Sequence, residues 1–153
     1  MGKNTKYSDR TDATDIAFCT CATLRKAARV VTRAYDAALK PAGFKPTQFN
    51  LLATLARRGD LPLTKLADAL VMDRTTLTRN LKPIAAKGWI FIGQEDDQRI
   101  RQIGLTDKGR HVFKTALPHW KKVQARIVGD LGITRWSQIL LGLTETVSAV
   151  QAR

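Results

Sequence analysis

Cysteine is nearly absent from this chain of 153 residues; only Cys19 and Cys21 are present. Two thiols exclude a disulfide-built scaffold and a four-cysteine zinc site. Histidine is as scarce. His111 and His119 lack a surrounding ligand cluster, so neither reads as a metal ligand, and no metal or other cofactor is expected. No apolar run approaches the roughly 18–20 residues needed to span a bilayer. The polar start, Met1 to Asp15, lacks the apolar centre of a signal peptide, so a cytoplasmic protein with no membrane partner is expected. Also missing are a phosphate loop, a nucleophile elbow, a zinc-protease motif and a Gly-rich dinucleotide fingerprint, which argues against an enzyme.

Acidic residues are the other shortage. Lys and Arg number 26 against 13 Asp and Glu, a formal net charge of +13. An excess of that size favours a polyanionic partner, with nucleic acid first and an anionic membrane second.

What is present is helical periodicity. Residues 1–13 are polar and read as a disordered basic tail. From about Thr14 to Leu39, Ala17, Cys21, Leu24, Ala28, Val31, Tyr35 and Ala38 recur at spacings of four and three, the signature of one helix face. Pro41 and Gly43 end that helix. A second helix is expected over Thr47–Arg57 with Phe49, Leu52, Ala53 and Ala56 inward, and a third over Leu63–Leu70. A fourth starts after Asp73, a natural N-cap, and ends near Lys87. Trp89–Ile92 and the alternating Arg101, Ile103 and Leu105 form a hairpin with its tip at Gly93–Gln98. Thr106 caps a further helix carrying Phe113, Trp120, Val123 and Ile127, which Pro118 should kink or break. The last helix, Thr134–Gln151, carries an apolar stripe from Ile133 through Trp136, Leu140, Leu143 and Val147 to Val150. The fold class is therefore mainly α with a small β-wing. The long terminal helices have little else to pack on, so they pair in a homodimer or fold back as an intramolecular bundle.

The third and fourth helices, joined by Val71-Met72-Asp73, form a helix-turn-helix pattern. Leu77, Leu81 and Ile84 share the inner face of the second. Arg74, Thr75, Thr76, Thr78, Arg79 and Lys82 are then left for double-stranded DNA. The residue types suit the major groove: Arg donates two bonds to guanine, and a Thr methyl meets the thymine methyl. In the hairpin, Gln98, Arg99 and Arg101 can follow the backbone or enter a narrow minor groove, with Asp97 orienting Arg99. A sequence-nonspecific architectural DNA protein would share the charge but would not need so polar a reading helix.

The run Asp73-Arg74-Thr75-Thr76-Leu77-Thr78-Arg79-Asn80-Leu81, then Lys87-Gly88-Trp89-Ile90, then Asp97-Gln98-Arg99 leading to Leu105-Thr106-Asp107-Lys108-Gly109, resembles the MarR family of bacterial and archaeal regulators. The resemblance covers about residues 15–150. It implies a winged helix over 46–111 and dimerisation helices over 14–45 and 112–153, together one domain from 14 to 153. It further implies a homodimer, insertion of the fourth helix in the major groove and of Arg99 in the minor groove, a near-palindromic operator, repression as the default, and release by an inducer or an oxidant. Val71 departs from the pattern, because relatives often carry a turn-tolerant residue there. Pro83 should bend the second half of the reading helix.

Two switches are consistent with the resemblance. A small aromatic or acidic effector would sit near Leu24, Ala28, Tyr35, Phe49 and Leu52, with Arg25 or Arg29 for a carboxylate. Alternatively, Cys21 and Tyr35 resemble the thiol and tyrosine of the family's peroxide sensors, although Arg25 and Pro46 stand where tyrosines are expected. A nearby Arg25 would favour the thiolate. On a continuous helix Cys19 would lie roughly 200° from Cys21, too far around for the two to bond.

Overall fold

The structure is a computed structural model that describes residues 19–94 and 101–152. Its elements are α1 (Thr20–Leu39), a 3-10 turn (Lys40–Ala42), α2 (Pro46–Arg58), β1 (Leu61–Pro62), α3 (Leu63–Leu70), α4 (Arg74–Ala86), β2 (Ile90–Gln94), β3 (Arg101–Leu105), α5 (Asp107–Leu131) and α6 (Ile133–Gln151). The basic tail, the expected first turn of α1 and the hairpin tip from residue 95 lie outside the described residues. Cys19 immediately precedes α1, and its carbonyl accepts the Thr23 amide at 3.0 Å as the first bond of the helix.

Backbone packing sets the helix up to Ala34 apart as one unit and gathers Tyr35 onward into another. The second unit has one core. Leu39, Phe44, Phe49, Leu51, Leu52, Leu55, Leu66, Leu77, Leu81, Ile84, Ile103 and Leu105 are all buried in it. α2 runs through the middle, touching α3, α4, α5 and β3. That surrounding explains a correction: Leu51, Thr54 and Leu55 are buried with Phe49 and Leu52, whereas Ala56 is exposed. A helix enclosed on several sides buries a broad arc, not the single stripe that periodicity detects. Thr54 tolerates burial because its hydroxyl donates to the Asn50 carbonyl at 2.9 Å.

The sheet has three antiparallel strands in the order β1-β3-β2. β1 was not expected from the sequence, since two residues are too short for an alternation signal; Leu61 faces Ile103 and Pro62 faces Gln102. In the hairpin, Ile90 pairs with Leu105 and Ile92 with Ile103.

Both internal prolines are accommodated. α5 continues from Asp107 to Leu131 through Pro118, and α4 to Ala86 through Pro83. Each ring lies at an exposed position. There the backbone carbonyl that loses its partner can turn to water, while buried Ala116 and Val123 hold α5 on either side of Pro118.

Candidate nucleic-acid interface

The reading helix is built by its N-terminus. Asp73 is the N-cap: its Oδ1 accepts from the Thr76 amide at 2.8 Å and its Oδ2 from the Thr76 hydroxyl at 2.7 Å. These bonds, the hydroxyl first and then the amide, hold the Asp73 carboxyl below its ordinary value of 3.8. A carboxyl depressed in the folded state stabilises it fully above the unfolded pKa and loses that contribution as pH falls through the folded value. Asp73→Ala is therefore expected to melt at lower temperature than the parent at pH 7. The gap should close as the pH is lowered below 3.8, which a pH series of thermal melts would test.

The turn before the cap is strained. Val71 takes φ 52° and ψ 47°, and it is the sole non-glycine residue with positive φ among those described. A β-branched residue there crowds its own carbonyl. Its amide nevertheless donates to the Asp68 carbonyl at 3.1 Å, and Met72 donates to the Ala67 carbonyl at 2.9 Å, closing α3.

With Leu77, Leu81 and Ile84 at 0–2% exposure against the core, the opposite side of α4 stands free. Arg74, Thr75, Thr78, Arg79 and Lys82 together line a shallow concavity of about 400 Å³. Thr75, Thr78, Arg79 and Lys82 follow the i, i+3, i+4, i+7 spacing of one helix face. Thr78 donates its hydroxyl to the Arg74 carbonyl at 2.7 Å, which turns its hydrogen-bonding inward. Thr76 is placed differently from these five: its hydroxyl serves the cap, and it does not line the concavity. Asn80 also points elsewhere; its Nδ2 lies 3.8 Å from Met72 Sδ as a donor.

Arg101 opens β3. Asp97, Gln98 and Arg99 lie outside the described residues. The base of the hairpin is firmly tied. Thr106 donates its hydroxyl to the Gly88 carbonyl at 2.7 Å, accepts from the Gly109 amide at 3.0 Å, and gives its own amide to the Trp89 carbonyl at 3.2 Å. Trp89 stacks on Phe44 at 4.6 Å between centroids, with Lys87 Nζ 4.2 Å from the Trp89 ring.

Sequence reasoning did not single out Lys45, Thr47 and Gln48. With Asn80, Pro83 and Ile84 they line a polar cleft of about 260 Å³ between the start of α2 and α4. The Lys45 amide donates to Gln48 Oε1 at 3.1 Å, a bond that a search for Ser, Thr, Asp or Asn at the N-cap overlooks.

A second, apolar cleft of about 290 Å³ is lined by Tyr35, Leu39, Pro46, Phe49, Asn50, Ala53 and Trp120. It brings together Tyr35 and Phe49, two of the expected effector residues. Leu52, a third, is fully buried core instead. The lining carries no charged side chain. The Trp120 and Phe49 rings lie near-parallel, 6.1 Å apart. Tyr35 donates its hydroxyl to Gln124 Oε1, and burial raises its pKa above the usual 10.0, so it stays a neutral donor at physiological pH. Cys21 and Arg25 are exposed on α1. Among the described residues no His, Cys, Asp and Glu group has the makings of a metal site.

Comparison with known proteins agrees with this geometry. The MarR family profile matches residues 44–100. The transcriptional regulator PecS of Dickeya dadantii is 32% identical over 91 residues, covering 57% of this chain and 55% of PecS, so the match spans only about half of that protein. The crystal structure of the M. tuberculosis transcriptional regulator MosR in complex with DNA superposes with a TM-score of 0.81 at 36% identity, covering 88% of this chain and 97% of that one. The repressor CouR bound to a 23-mer duplex shares the fold, with a TM-score of 0.76 at 21% identity over 91% of this chain and 99% of that one. These relatives are transcription regulators, not enzymes.

Proposed function

Because the chain belongs to the MarR family of transcription regulators, we propose that it is a homodimeric, sequence-specific repressor that reads a near-palindromic operator and is released by a small ligand. The observation that carries this reading is the free face of α4. Arg74, Thr75, Thr78, Arg79 and Lys82 stand together on it, opposite a ridge sunk in the core. Base-reading side chains need such a rigid mount, because a misplaced guanidinium loses its bidentate geometry. Thr76 adds the cap that orients the helix. In the hairpin, Arg99 enters the minor groove, oriented by Asp97, while Gln98 and Arg101 follow the phosphates. Residues 14–153 act as one domain, whose dimerisation helices set the two copies of α4 about 34–36 Å apart, one turn of DNA.

α6 supports the homodimer. Among its described residues none is buried, and Ile133, Leu140, Leu141, Leu143, Val147 and Val150 are all exposed. Soluble chains rarely leave such a stripe uncovered. The effector reading rests on the cleft of Tyr35, Phe49 and Trp120. Its uncharged lining suits a flat aromatic ligand held by stacking and by amide groups, better than a carboxylate needing Arg25. The protein works in the cytoplasm; no helix among the described residues is long and apolar enough to cross a membrane.

Selection from randomised duplexes, followed by footprinting, tests the reading. The expected product is an inverted repeat with half-sites one turn apart; recovery of no consensus sinks base reading. Arg79→Ala is expected to weaken binding to the selected duplex by about 1–3 kcal/mol and to relax preference at one base position per half-site. An unchanged consensus at equal affinity would place Arg79 on the backbone or in solvent.

A further inference from the structure

α5 carries a charge pattern that operator reading does not use. Between Asp107 and Asp130 it holds Lys108, Arg110, Lys114, Lys121, Lys122 and Arg126 and no carboxylate. At 100° per residue these six cations fall within an arc of about 160°. The opposite side of the helix buries Ala116 and Val123. All six side chains are exposed, and among the described residues none of them is held in an ion pair. An ordinary solvated helix face interleaves both signs, since a row of like charges repels itself. From Arg110 to Arg126 the row extends about 24 Å along the helix axis. Duplex DNA presents one negative charge per about 1.7 Å of its own axis, so cations spread over that length of helix can meet phosphates at several points. The half bearing Lys121, Lys122 and Arg126 begins about 21 Å along α5 from the foot of the hairpin. It belongs to neither α4 nor the wing, the parts that meet the operator.

We propose that the outward face of α5 is a second, sequence-independent DNA-binding surface, which takes the phosphate backbone of a duplex other than the one read by α4. One protein can then hold two DNA segments, the specific one by base contacts and the other by charge alone.

Capture on beads tests this. Wild-type protein is saturated with an immobilised selected operator duplex, washed, and offered a labelled duplex of unrelated sequence at low salt. The labelled duplex is expected to be retained. The variant Lys114→Gln/Lys121→Gln/Lys122→Gln keeps helix propensity. It is expected to keep the sedimentation coefficient of wild type, to retain at least about tenfold less of the labelled duplex, and to bind the operator within about twofold of wild type. A variant that sediments as a monomer overturns the proposal, because the face then serves dimerisation. The slope of log K for capture against log salt should become shallower by about 2.7, at about 0.9 for each of three lost phosphate contacts. The proposal is overturned if wild type captures no second duplex, or if the variant captures as much as wild type. It is also overturned if operator affinity falls in step with capture, because the face then serves the operator duplex.

Discussion

Gly109→Ala is expected to destabilise the protein by about 3 kcal/mol, at the upper end of ordinary overpacking. A Cβ on Gly109 would lie 1.8 Å from the Trp89 carbonyl oxygen and 2.8 Å from its carbon. Both are backbone atoms, so no side-chain rotation relieves the clash. The same oxygen accepts the Thr106 amide, and Thr106 caps α5 while donating to Gly88. Pushing α5 away from Trp89 therefore breaks the knot that joins the end of α4, the hairpin and α5. For a chain of this size the expected fall in melting temperature is roughly 6–12 °C, at about 2–4 °C per kcal/mol. Operator binding should weaken as well, because the hairpin loses its footing. Gly129→Ala on the same helix supplies the contrast: its Cβ would meet nothing within 4 Å. There the usual gain of up to about 1 kcal/mol for Gly to Ala in a helix should appear. Thermal melts giving the same sign for both variants would refute the close-approach explanation.

Leu140→Glu/Leu143→Glu is expected to give a monomer whose operator affinity is about 10²–10⁴-fold lower. Leu140 and Leu143 are 44% and 39% exposed, so the folded single chain accepts carboxylates at both positions. Glu is also a good helix former, and the circular dichroism of the variant should match wild type. In a dimer the same positions become core, where uncompensated charge is costly. Two linked reading helices bind the second half-site intramolecularly, and that avidity disappears with the link. Analytical ultracentrifugation paired with gel shifts would check both halves of the statement. A variant that stays dimeric, or a monomer with undiminished affinity, removes α6 from the interface.

Much of this was legible in local sequence. Asp73 and Thr106 announce the starts of α4 and α5, because a short oxygen-bearing side chain satisfies amides three residues on, whatever the tertiary context. Leu77, Leu81 and Ile84 declare the buried side of α4 by spacing, and so leave the reading face by subtraction. The errors share one origin. α2 buries Leu51 and Leu55 and exposes Ala56 because neighbours surround it, which a single-stripe reading cannot register. β1 exists because β3 offers it an edge. Pro118 leaves α5 unbroken because its ring faces solvent while the far side of the helix is packed.

The sequence alone determined the basic character, the helix-turn-helix with its caps, the hairpin and the apolar stripe of α6, since charge, capping and periodicity act over a few residues. Only the tertiary structure decided the roles within them. It separated Thr76, which spends its hydroxyl on Asp73, from the five side chains that share the α4 concavity. It kept Leu52 in the core and away from the effector residues, and left Tyr35, Phe49 and Trp120 around a cleft. It also showed why residue 109 must be glycine, a requirement set by a carbonyl twenty residues earlier. Which groups meet, and which are left free to meet a partner, depends on packing between segments distant in the chain, and no local pattern encodes that.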